Sequence, residues 1–148
     1  MEMIYRLEDK ANRPIIKLDQ LFPGCTALLD TGAIIPVWTK DVKLLQSLGA
    51  HFYKQNVEFA GFGGKTKGDL YKITLYLDKI IFPDLPIIVH NNDNIPGYFI
   101  FSATMFKNMI YTIDDITKQF IVVYPDNQVC QHIRIIDSNG KISVLVNQ

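Results

Sequence analysis

At 148 residues, with 15 basic and 15 acidic side chains and a formal net charge of zero, the chain is sized for one domain and has no charge footprint for nucleic acid. Hydrophobic residues make up 48% of it, enough for a sizeable core, and no run of like charges signals disorder. The two cysteines, Cys25 and Cys130, and the three histidines, His51, His90 and His132, lack metal-ligand spacing, so neither a metal nor a cofactor is expected.

The opening Met-Glu-Met-Ile-Tyr-Arg has no apolar core of signal-peptide length, and no window approaches the roughly 20 apolar residues of a membrane helix. A cytoplasmic chain without a membrane partner is expected. Short β-rich runs come first, Ile4 to Leu7 and Ile15 to Leu18, with Pro14 at a strand start where no ladder N–H is needed. Pro23-Gly24 makes a turn. The chain then runs through Thr26 to Leu29, reaches Asp30-Thr31-Gly32-Ala33, and leaves as Ile35-Pro36-Val37-Trp38, where Trp38 reads as packing rather than a substrate platform.

Thr39 to Gly49 predicts a helix: Thr39 as cap, Asp41 at the positive end of the dipole, Val42, Leu45 and Leu48 on one face, and Gly49 at the C-terminal end. From Phe52 strands take over. Val57 to Ala60 precedes the glycine stretch Gly61-Phe62-Gly63-Gly64. Leu70 to Leu77 then alternates two kinds of side chain, as a half-buried strand does. Ile80 to Phe82 and Leu85 to Val89 are expected as separate runs split by Pro83-Asp84, followed by a polar loop from His90 to Asn94. A strand from Tyr98 to Phe101 and a short helix from about Ala103 to Asn108 come next. Beyond Asp126, the runs Val129 to Ile136 and Lys141 to Val146 flank Asn139-Gly140, a hairpin signal. Many short strands, frequent turns and little helix predict an all-β, barrel-like domain with one or two short helices.

Asp30 stands out on physical grounds. Apolar residues flank its turn on both sides, Leu28-Leu29 before and Ile34-Ile35 after, and an unpaired carboxylate in such a setting is costly. Asp-Thr-Gly is also ordinary turn chemistry, with Asp accepting local N–H bonds and Gly supplying positive φ.

Leu28-Leu29-Asp30-Thr31-Gly32-Ala33 resembles the active-site turn of the retropepsin-like aspartic proteases, bacterial single-lobe members included. Three further features in the right order support the resemblance. Gly61, Phe62, Gly63 and Gly64 are similar to the flap, and Tyr98 to Phe106 resembles the late apolar strand and short helix. Tyr111 to Asp114 with Lys118 to Ile121 is similar to the closing hairpin. The match spans roughly Pro14 to Tyr124. It implies a closed acid-protease barrel over residues 1–125, with residues 126–148 as an added hairpin packed on the same domain.

Hydrolysis by carboxylates needs two of them sharing one proton, one acting on a water and the other on the carbonyl oxygen. The chain has one Asp-Thr-Gly, so an active enzyme must be a homodimer with catalytic Asp30 from each subunit. The resemblance gives Thr31 the bond across the axis, Gly32 close backbone approach and substrate contact, and Phe62 apolar cover over a bound peptide. In two places the chain departs from the family. Ile34 stands where an acidic residue usually binds substrate backbone, and Ser102 stands where Gly follows the late strand. The leading expectation is an aspartic endopeptidase acting on peptide or protein substrates. Its alternative is a non-catalytic protease-like dimer binding an extended peptide or partner, favoured by Ile34 and Ser102. A third reading is an unrelated antiparallel β module.

Overall fold

The computed structural model describes residues 1–8, 13–61, 64–125, 129–138 and 141–146, without the side chains of 60, 61, 64, 65, 141, 144 and 146. The described residues form three sheets. In the largest, β2 (Ile15–Lys17), β3 (Thr26–Asp30), β4 (Val37–Trp38), β5 (His51–Gly61), β6 (Gly64–Leu77), β7 (Ile80–Val89) and β8 (Phe99–Ser102) take the order β2-β3-β8-β4-β7-β6-β5. β1 (Glu2–Arg6), β9 (Ile110–Asp114) and β10 (Gln119–Val123) form a second, ordered β1-β10-β9. The third is the hairpin of β11 (Ile133–Ser138) and β12 (Lys141–Val146).

The expected all-β class holds, but the sheets do not close into a barrel. The end strands of the large sheet are β2 and β5, and these do not pair. The reason is local. β2 has three residues, and its outer edge is taken by a bridge from Leu7 to Ile16, which hands the chain to the separate β1 sheet.

Most of the core lies in one cluster that includes Met3, Trp38, Phe82, Phe99, Phe101, Phe106 and Phe120. Trp38 is fully buried among Phe22, Tyr98 and Phe99, and its indole N–H donates to the Asp41 carbonyl at 2.9 Å, so it is packing, as its position predicts. A second cluster joins Ile15, Leu28, Ile35, Val37, Val57, Leu70, Ile88 and Ile100.

Four local expectations are corrected. Helix α1 spans Val42–Ser47, and its cap is Asp41, whose carboxylate accepts the Lys43 N–H at 2.9 Å; the Thr39 hydroxyl is engaged elsewhere, donating to the Gly97 carbonyl at 2.9 Å. Pro83-Asp84 does not split two strands. Ile73 pairs with Leu85 and Leu75 with Phe82, so these two residues are a bulge inside β7, with Asp84 at φ 46 and its N–H on Thr74 Oγ1. The helix expected to Asn108 is a single 3-10 turn, Ala103–Phe106. In the tail, the first strand begins at Ile133, and Val129 lies outside it, in an isolated bridge to Ile81.

The tail hairpin lies against the rest of the chain. Ile133 is buried in the main cluster, and Ile135 and Ile142 pack on the second. The alternation of inward Ile133, Ile135 and Ile142 with outward Arg134 and Ile136 explains which face docks.

Candidate active site

Asp30 is the last residue of β3, a strand flanked by β2 and β8 in the large sheet. β3 and β8 run parallel and register Ala27 with Phe99, Leu28 with Ile100, Leu29 with Phe101 and Asp30 with Ser102. The apolar run that precedes Asp30 is thus buried between neighbours, and the carboxylate emerges where pairing ends. It is half-buried, while Thr31 and Gly32 are exposed.

The turn is held by its own backbone. Asp30 Oδ1 accepts the Gly32 N–H at 3.0 Å, and the Asp30 carbonyl accepts the Ala33 N–H at 3.1 Å. A side chain with one oxygen fixed this way keeps its second oxygen for a partner outside the turn. Ala33 and Ile35 then anchor the chain in the second cluster, while Ile34 is 55% exposed.

The downstream limb has a second tether. Thr104 Oγ1 donates to the Ile34 carbonyl at 2.6 Å, and the Ser102 hydroxyl lies 2.8 Å from Thr104 Oγ1. Ser102 is fully buried. Thr104 was not singled out by the sequence reading; the available signal was a pair of hydroxyl residues two apart at the exit of an apolar strand.

The flap residues sit on the β5–β6 hairpin. Gly61 pairs with Gly64, closing the ladder, and Phe62 and Gly63 lie outside the described residues. Below the tip, Val57 belongs to the second cluster and Phe59 packs on it, so the hairpin base and the limb after Asp30 share one apolar contact set. Phe59 also meets the His90 ring edge-on at 5.8 Å. At Gly68 the backbone of β6 comes so close to β7 that a Cβ would lie 2.6 Å from Ile88 Cγ2 and 2.7 Å from the Val89 carbonyl. Only glycine fits there.

Among the described residues no group of three or more His, Cys, Asp or Glu is placed to hold a metal ion. The same residues contain no helix long and apolar enough to cross a membrane. What the geometry offers is a half-buried carboxylate at the end of a buried strand, with one oxygen held by the turn that follows it.

No protein-family model matches the sequence, and no curated protein does. Among solved structures the chain is similar to a retropepsin-like aspartic protease from Rickettsia conorii, with a TM-score of 0.53 and 16% identity over 84% of this chain and 91% of that one. The likeness is one of fold.

Proposed function

We propose that this chain is an aspartic-type endopeptidase that works as a homodimer. A water held between two Asp30 carboxylates, one from each subunit, would attack the scissile carbonyl of a peptide lying extended under the β5–β6 hairpins. Thr31 would bond across the two-fold axis, Gly32 would contact substrate backbone, and Phe62 with Gly61, Gly63 and Gly64 would cover the peptide. Residues 1–125 would form the catalytic lobe and residues 126–148 its extension.

The observation that carries the reading is the placement of Asp30: a carboxylate at the end of a buried strand, one oxygen engaged by Gly32, in a chain whose fold is similar to that of a retropepsin-like protease. Cys25 is a buried free thiol, which suits a reducing, cytoplasmic setting. The test is cleavage of a peptide library by wild type and by Asp30→Asn across a dilution series. Turnover that vanishes in Asp30→Asn and falls as the dimer dissociates supports the reading; turnover indifferent to both overturns it.

A second reading, a non-catalytic dimer that binds an extended peptide or partner protein, is favoured by Ile34, whose exposed alkyl chain cannot bind substrate backbone as a carboxylate would. Peptide retention without cleavage, equal in wild type and Asp30→Asn, would select it.

A further inference from the structure

We infer that Ser102 and Thr104 are positioning residues for the Asp30 turn, acting through a two-step hydroxyl chain; the inference rests on the endopeptidase reading. Its direction follows from proton counting. A threonine hydroxyl has one proton. Thr104 spends it on the Ile34 carbonyl, so the contact between the two hydroxyls must have Ser102 as donor and Thr104 as acceptor. The chain runs from Ser102 Oγ–H to Thr104 Oγ1–H to the Ile34 C=O. Each bond polarises the next, the first being part-buried and the second lying at the exposed edge of the turn.

The location gives the chain its purpose. Ser102 is the residue registered with Asp30 across the parallel pair, and it stands at the start of the 3-10 turn without using its side chain as a cap. Its hydroxyl is instead directed to Thr104 and so, indirectly, to the far limb of the Asp30 turn. β3–β8 pairing fixes the residue entering the turn, and the hydroxyl chain fixes the backbone leaving it. A glycine at position 102 could supply close packing but no donor. With Ser102 replaced, Thr104 loses its incoming bond; with Thr104 replaced, the Ile34 carbonyl loses its tether and the Ser102 hydroxyl is left buried without an acceptor.

Catalysis by a carboxylate pair depends on placement, and a misplacement of about 1 Å can cost about 100-fold in rate. Ser102→Gly and Thr104→Val are therefore expected to lower kcat by about 10- to 100-fold with KM little changed. Thr104→Ser, which keeps the hydroxyl, should restore most of it. Amide hydrogen exchange at Gly32 and Ala33 supplies a readout independent of turnover: both N–H groups should exchange faster in Ser102→Gly and Thr104→Val, and at the wild-type rate in Thr104→Ser. If wild type cleaves nothing but exchange responds in this pattern, the endopeptidase reading falls and the positioning chain stands. Exchange at Gly32 and Ala33 unchanged in both Ser102→Gly and Thr104→Val overturns the chain, whatever the activity. So does a loss in Thr104→Val that Thr104→Ser shares.

Discussion

Asp30 and Ser102 face each other across parallel strands that are 72 residues apart in the chain, the one ending in a carboxylate and the other in a buried hydroxyl. This pairing makes the site a junction between two strand ends rather than a property of one loop. The residues around it therefore respond to substitution in ways that separate chemistry from scaffold.

Asp30→Asn keeps the size and local bonding of the side chain, since the amide oxygen can still accept the Gly32 N–H. It removes the anion that would act on water. The expected result is a loss of peptide cleavage of at least about 1,000-fold, of the order that general acid–base groups contribute. Thermal and urea unfolding should stay within about 0.5 kcal/mol of wild type, as for a substitution that creates no cavity and breaks no buried network.

Gly68→Ala tests the close approach of β6 to β7. The added methyl would meet both a side-chain carbon and a backbone carbonyl at distances no real contact tolerates, and the carbonyl cannot move without disturbing the ladder. A destabilisation of about 1–3 kcal/mol in urea is expected, as for other overpacked sites. A variant as stable as wild type would show that β6 can shift outward at no cost.

Ile133→Ala probes the tail hairpin. Ile133 is 6% exposed within the main cluster, so the truncation leaves a cavity and should cost about 2–5 kcal/mol. The Lys54–Asp137 ion pair at 3.8 Å spans the same junction, but both side chains are about one-third exposed. Asp137→Asn should change stability by less than about 1 kcal/mol. Because Ile135 and Ile142 pack on the cluster that also carries Val57 and Phe59, removal of residues 126–148 should speed amide exchange in β5. Unchanged exchange there would separate the tail from the hairpin that bears the flap residues.

Legibility in the sequence tracked the range of the interaction. The Asp30 turn and the Trp38 core position depend on neighbours in sequence or on plain burial, and both could be read directly, whereas the β9–β10 hairpin was expected only from the family resemblance. Thr39 misled because a hydroxyl before a helix is a good cap in isolation, while here it satisfies a carbonyl 58 residues away. Pro83-Asp84 misled because a bulge and a turn use the same residues; only the pairing of Ile73 with Leu85 and Leu75 with Phe82 distinguishes them. The barrel was expected both from the many short strands and from the family resemblance, and closure failed at β2, where three residues and one bridge redirect the chain. The Thr104 tether joins residues 70 apart through one hydroxyl, and the Ser102/Thr104 pair at the strand exit does not by itself name the Ile34 carbonyl as the acceptor.

Alkaline stability gives the last prediction. Burial pushes the Cys25 thiol up from its ordinary 9.0 to about 12, with the Asp19 carboxylate adding to the effect. Burial likewise pushes the Tyr5 phenol from 10.0 to about 12, although the hydrogen bond from Gln20 works against the shift. Both groups are neutral when protonated, so in this fold they hold protons that the unfolded chain releases. Below pH 9 the two states bind these protons equally, and stability does not depend on them. Between pH 9 and 12 the unfolded state binds fewer, so stability falls as pH rises, by a total on the order of several kcal/mol. The urea midpoint should therefore be flat from pH 7.5 to 8.5 and decline steadily from pH 9 to 11. Cys25→Ala should shallow the onset near pH 9, at the cost of a small cavity visible at neutral pH. Tyr5→Phe should shallow the decline above pH 10. If the midpoint stays level to pH 11, or if neither substitution alters its slope, burial of these two groups does not govern the alkaline limit of the fold.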